Sequence, residues 1–217
     1  MQDYGTCGPT PPRRPSDRSP AVSPAGLKIV IAGGFGVGKT TFVGAISEIE
    51  PLTTEEYLTA ASAPTDSLDQ VESKETTTVA MDFGRITFDV PVVPIPVELF
   101  LFGTPGQERF LHTWHSLAHG AIGAVVLADT RRLDASFTAV AYFEQLALPF
   151  VVAVNQFPRA HRYSADEIRQ ALVLDPGVPV ISCDARNGTS AASVLMTLVE
   201  HARSARFTEP AVLDMRP

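Results

Sequence analysis

Residues 33–40 read Gly33-Gly34-Phe35-Gly36-Val37-Gly38-Lys39-Thr40 and fit the pattern G-x-x-x-x-G-K-[ST]. The chemistry served by this spacing is phosphate binding. The glycines let the backbone curl until several amides point at one phosphate, and the start of a helix adds positive potential there. Lys39 is placed to reach the outer phosphates, and the Thr40 hydroxyl to bind magnesium. Thr41 follows in the same cradle. Other residues of suitable type lie far along the chain: Thr78, Gly106-Gln107, Asn155-Gln156 and Asp184-Ala185-Arg186. Their use depends on the elements that carry them.

The phosphate motif needs a strand before it and a helix after it. Lys28–Ala32 is an apolar strand, and a helix runs from about Thr40 to Glu48, limited by Pro51. Residues 51–76 are rich in Thr, Ser and acids with little periodicity, and read as a long functional connection. Stretches 79–83 and 85–88 form one extended segment with Gly84 as a bend, and 97–102 is the next strand. Pro91, Pro94 and Pro96 place a loop between them. A helix at 110–118 follows. Then strand 121–127, helix 136–146, strand 149–154, helix 164–172, strand 178–182 and helix 190–207 alternate. Ser164 with Glu167 reads as a capping box. The alternation predicts an α/β fold on a mainly parallel sheet, with strands 121–127 and 149–154 covered on both faces. With the phosphate loop this is a three-layer P-loop NTPase fold, a six-stranded sheet with helices on both faces, whose ligands bind beyond the carboxyl ends of the strands. Residues 1–26, with six prolines, read as a disordered tail, 27–207 as the folded domain and 208–217 as a C-terminal tail.

The 217 residues, 45% of them apolar, suffice for one packed domain. A net charge of −7 without a basic run argues against nucleic acid or an anionic lipid surface as partner. Cys7 and Cys183 make no disulfide framework or zinc spacing, which points to a reducing cytosol. No apolar run approaches the roughly 20 residues of a membrane span. Neither end carries a lipidation signal, so no intrinsic membrane anchor is expected, and a partner is the route to a membrane. His112, His115 and His119 share a helical face but lack a further ligand, so they are expected to be ordinary surface residues. Trp114 is either core or an anchor for a partner.

Further motifs carry a family resemblance. Thr78-Val79-Ala80-Met81-Asp82-Phe83 resembles the T-I-G-V-D-F of Rab-type switch I. Gly103-Thr104-Pro105-Gly106-Gln107-Glu108-Arg109-Phe110 resembles the D-T-A-G-Q-E-R-F of switch II. Asn155 takes the first place of N-K-x-D, and Ser182-Cys183-Asp184-Ala185-Arg186 sits where the guanine-side S-A-K loop falls. Order and spacing are right over about residues 27–205, so the chain resembles a Ras-superfamily small GTPase. Within it the chain resembles the bacterial gliding-motility GTPases and, more closely, the conservon GTPases of streptomycetes. The resemblance implies GTP and GDP as ligands, magnesium as cofactor, slow hydrolysis, a switch role in bacterial signalling and a roadblock-type dimer as partner. It implies that Thr78 binds magnesium and the third phosphate, although the register among three threonines also allows Thr77. It gives the Gly106 amide to that phosphate and Gln107 to the attacking water. On the base side it implies Asn155 and Gln156 beside the base, the Ala185 amide on the guanine carbonyl and Arg186 over the ring.

Four departures qualify the resemblance. Gly103 replaces the switch II Asp that supports magnesium. Asp82 is a substitute for it, although an outward-facing strand carboxylate is the plainer expectation. Phe35 puts a bulky ring in the phosphate loop, which implies slow hydrolysis and an unusual activation route. Arg85, Arg109, Arg131 and Arg132 are candidates for an internal transition-state cation, or plain surface residues. Pro158 replaces the base-reading Asp and offers only an acceptor carbonyl, which makes Asp184 the candidate replacement reader. The first competing reading is a degenerate scaffold of the same fold that holds GDP or no nucleotide; the second is a P-loop ATPase or kinase, against which stand the T-P-G-Q motif and the lack of an acidic magnesium residue after a buried strand.

Overall fold

A computed structural model describes residues 25–52, 55–57, 76–78, 81–88, 96–106 and 111–208. β1 (Ala25–Ala32) begins three residues earlier than the sequence suggested and leads into α1 (Lys39–Ile46). Two short strands, β2 (Glu55–Tyr57) and β3 (Thr76–Thr78), pair antiparallel within what the sequence suggested was irregular. β4 (Asp82–Phe88) and β5 (Val97–Gly103) follow. Gly84 does not bend β4. It sits mid-strand, where a Cβ would come 2.7 Å from Val43 and 3.0 Å from the Ser47 hydroxyl, so its lack of a side chain lets α1 lie close.

The rest alternates as expected: α2 (Leu111–Ala118), β6 (Gly123–Ala128), a 3-10 turn at Leu133–Ser136, α3 (Phe137–Gln145), β7 (Phe150–Asn155), α4 (Ala165–Ala171), β8 (Val180–Cys183) and α5 (Gly188–Thr208). Ser164 and Glu167 form the reciprocal capping box at the start of α4.

The main sheet has the order β4-β5-β1-β6-β7-β8, parallel except for the antiparallel pair β4–β5. Alternation along β1 sends Ile29 and Ile31 to one face and Val30 and Ala32 to the other, and all four are buried. The first face packs on Phe42 and Val43 of α1 and Leu195 and Leu198 of α5. The second packs on Trp114 of α2, Val140 and Phe143 of α3 and Ile168 of α4. This is the three-layer α/β arrangement of a P-loop NTPase. β5 flanks β1 on one side and β6 on the other, and the chain fills the first side before crossing to the second, which opens a crevice at the carboxyl end of β1. The phosphate motif follows β1 directly.

Candidate functional site

Three glycines of the loop, Gly33, Gly36 and Gly38, have positive φ. Gly38 shows why: at φ 103 it starts α1, and a Cβ there would strike the Asn155 amide nitrogen at 2.8 Å. Lys39 is buried, and its Nζ donates to the Gly33 carbonyl at 2.9 Å and the Gly34 carbonyl at 2.8 Å. Gly106 lies against it. A Cβ at Gly106 would come 2.6 Å from Lys39 Nζ and 2.9 Å from the Phe35 Cα. The structure therefore brings Gly34, Phe35, Lys39 and Gly106 together. Thr41 is exposed one residue beyond Thr40 on α1. Thr78 lies in β3, opposite Glu55; its side chain, Gln107 and Arg109 fall outside the described residues.

Asp82 corrects the sequence reading. Its carboxylate does not face outward; the residue is 1% exposed. Thr40 Oγ1 donates to Asp82 Oδ2 at 2.9 Å. The cause is register: Asp82 on β4 stands directly opposite Gly103 on β5. A Cβ at Gly103 would come 2.8 Å from Asp82 Oδ2, so the side chain absent at 103 leaves the space that Asp82 fills from the neighbouring strand. A hydroxyl beside a carboxylate at a phosphate-loop helix suits a hard cation such as magnesium, which favours oxygen ligands and shares its shell with phosphates. Alternation alone could not reveal this, because the pairing of β4 with β5 decides which residues meet.

On the side where the small-GTPase resemblance puts the base, Asn155 is buried at the end of β7. Its Nδ2 donates to the Val37 carbonyl at 2.9 Å, and its Oδ1 accepts from the Ala185 amide at 3.0 Å. One side chain thus joins the phosphate loop to the loop after β8. The Ala185 amide is engaged by Asn155 rather than left free. Gln156, half-buried, donates through Nε2 to the Ser182 hydroxyl. Asp184 is turned toward Arg186, whose guanidinium donates to both carboxylate oxygens at 2.9 and 3.1 Å. These hydrogen bonds hold the Asp184 carboxyl below its usual range. The Ser190 hydroxyl accepts from the Asp184 amide at 3.0 Å.

Sequence reading missed a second cluster here. Asp129, buried just beyond β6, takes the Arg131 guanidinium at 2.8–3.1 Å, and that guanidinium lies 3.9 Å from the Phe157 ring centroid. This placement turns Arg131 from a candidate transition-state cation into a fastening for the base-side loop. Arg85 likewise pairs with Glu98 along the sheet at 3.7 Å. Ala135, in the 3-10 turn that follows Arg132, meets the phosphate loop: a Cβ at Gly34 would come 2.8 Å from its own.

Trp114 is core, 4% exposed. Its indole N–H donates to the Pro105 carbonyl at 3.3 Å, one residue before Gly106. Its ring stacks on Phe143 at 6.1 Å and meets Tyr142 edge-on at 5.4 Å. His112, His115 and His119 are exposed along α2 and the turn after it, and no group of three metal-binding side chains occurs among the described residues.

With this geometry in view, the profile of the family described as "Conserved hypothetical ATP binding protein" matches residues 31–205. The chain belongs to that family. No curated protein matches it. Membership agrees with the cradle at Gly33–Thr40 and supports nucleotide binding by this family member. The matched span takes in the phosphate loop, Asp82, Asn155 and the 182–186 loop. No helix among the described residues is long and apolar enough to cross a membrane.

Proposed function

We propose that this protein is a magnesium-dependent guanine-nucleotide switch that hydrolyses GTP slowly. The observation that carries the reading is the Asn155 bridge between the Val37 carbonyl and the Ala185 amide. A base-side Asn tied to the phosphate loop is the role that the small-GTPase resemblance implies. In the reaction water attacks the γ-phosphorus, the bond to the β–γ bridging oxygen breaks, and GDP, phosphate and a proton are released. Lys39 would hold the outer phosphates, the Gly106 amide the third, and Gln107 the water. Thr40, Thr78 and Asp82 would hold magnesium, whose chemistry is to neutralise charge on the outer phosphates.

Base reading would fall to the 182–186 loop and Gln156, since Pro158 has no carboxylate. Phe35 would crowd the approach of an external arginine, which fits slow hydrolysis. Contacts to the third phosphate would order the segments around Thr78 and Gln107, and hydrolysis would release them. A roadblock-type dimer as partner, a bacterial signalling role and a cytoplasmic location complete the proposal from the sequence resemblance.

A second reading has its own support. The family description names ATP, and Pro158 removes the usual guanine-specific acceptor. Denaturing the purified protein and identifying the released nucleotide by chromatography, then titrating GDP and ADP, separates the two. Guanine nucleotide with tighter GDP binding is expected. Adenine nucleotide would overturn the guanine assignment, and an empty protein that binds neither would favour a scaffold.

A further inference from the structure

Beside the base-side loop, on the α4 face of the sheet, the structure holds a cavity of about 280 Å³ that phosphate chemistry does not use. Val154 of β7, Ile168 of α4 and Val180 of β8 give it an aliphatic wall, and Asn155, Gln156 and Ser182 form a polar edge toward the base-side loop. The turn at residues 157–160 covers it. The Phe157 carbonyl accepts from the Ala160 amide at 3.3 Å, Pro158 takes the second position and Arg159 has φ 64. That is the pattern of a type II turn, whose third position ordinarily takes glycine; a side chain there costs about 1–2 kcal/mol. The proline that removes the base-reading carboxylate therefore also bends the chain over this space.

The lining charge has one sign. Arg162 contributes to it, and no Asp or Glu does. The nearby carboxylates are engaged elsewhere: Glu167 with Ser164, Asp166 with Arg169, and Asp184 with Arg186. Among the described residues Arg162 has no ion-pair partner. A net-acidic chain thus presents a small, mainly apolar chamber with polar edges and one exposed arginine at its rim. The volume lies near the lower limit for small-molecule sites, about 300 Å³, which suits a one- or two-ring compound.

We infer that this cavity binds a small aromatic carboxylate, its ring against Val154, Ile168 and Val180 and its anionic group toward Arg162. The cavity borders the proposed base side and shares Asn155, Gln156 and Ser182 with it.

The test uses the full chain and four probes: indole-3-carboxylate, benzoate and their neutral amides, followed by ligand-observed NMR titration. Indole-3-carboxylate is expected to bind saturably, and at least about threefold more tightly than its amide, the scale of an exposed ion pair. Arg162→Gln should remove that difference. Ala160→Phe, which fills the chamber from its roof, should abolish saturable binding. Absence of saturable binding for all four probes would overturn the inference. So would equal binding of acid and amide, or binding that survives Ala160→Phe with unchanged thermal unfolding. If Ala160→Phe fails to fold, the Arg162→Gln comparison decides.

Discussion

The two ends of the nucleotide crevice are built from different materials. The phosphate end is mostly main chain: glycine turns, a helix start and carbonyls that hold Lys39. The other end, which we assign to the base, is mostly side chains holding one another, with Asn155 across two loops, Asp184 on Arg186, and Arg131 between Asp129 and Phe157. A main-chain site tolerates few sequences and so leaves a motif. A side-chain site can exchange its members in pairs, and its pattern fades while the site persists.

That contrast can be broken at its ends first. Lys39→Ala should lower nucleotide affinity by about 100-fold, the scale of losing charged hydrogen bonds to two phosphates, and calorimetric titration would read it. Retained affinity would mean that the phosphate end does not dominate binding.

Next comes the joint between the ends. Asn155→Ala leaves the Val37 carbonyl and the Ala185 amide without their partner, at about 1–3 kcal/mol for each buried group. At roughly 2–4 °C per kcal/mol for a chain of this size, Tm should fall by at least about 4 °C and by as much as about 24 °C. An unchanged Tm would show that the two ends are mechanically independent.

Asp82→Asn probes a side-chain exchange within the main-chain end. The amide keeps a partner for Thr40 but loses the charge, so the magnesium concentration needed to retain nucleotide should rise about tenfold, or about 1.4 kcal/mol. A magnesium titration of nucleotide release checks this. No shift would leave Asp82 a structural acceptor only.

The smallest effect is expected at Asp184→Asn, a change of a few fold in preference for guanine over hypoxanthine. Competition binding would measure it, and an unchanged ratio would reject Asp184 as a base reader. The linkage has a definite sign: because Arg186 lowers the Asp184 carboxyl, its contribution is present above the unfolded value and is lost as pH falls through the folded one. At neutral pH the pair is therefore intact.

The layers were legible because β6 and β7, up to the Asn155 that ends β7, are continuous apolar runs, and only strands covered on both sides need that. The phosphate loop was legible because its glycines answer to backbone geometry. Gly84 misled because a glycine inside an extended run signals either a bend or a close neighbour, and only the packing of α1 distinguishes the two. Asp82 and Gly103 misled for a deeper reason. They are far apart in sequence, and only strand register makes a missing side chain and a buried carboxylate parts of one arrangement. Arg131 was legible as a cation but not as a bound one, because only the folded turn after β6 closes it onto Asp129, and the Phe157 ring arrives from the loop after β7.

The only tryptophan of the chain stands where motion at the phosphate end would be felt. Its N–H is tied to the Pro105 carbonyl, and its ring lies between a tyrosine and a phenylalanine of α3. Any displacement of Gly106 that pulls on Pro105 must change the polarity around the indole or its distance from Tyr142. The protein thus carries its own optical gauge. Indole emission, and energy transfer from tyrosine into it, can be followed in unlabelled protein while nucleotide is added, hydrolysed or chased.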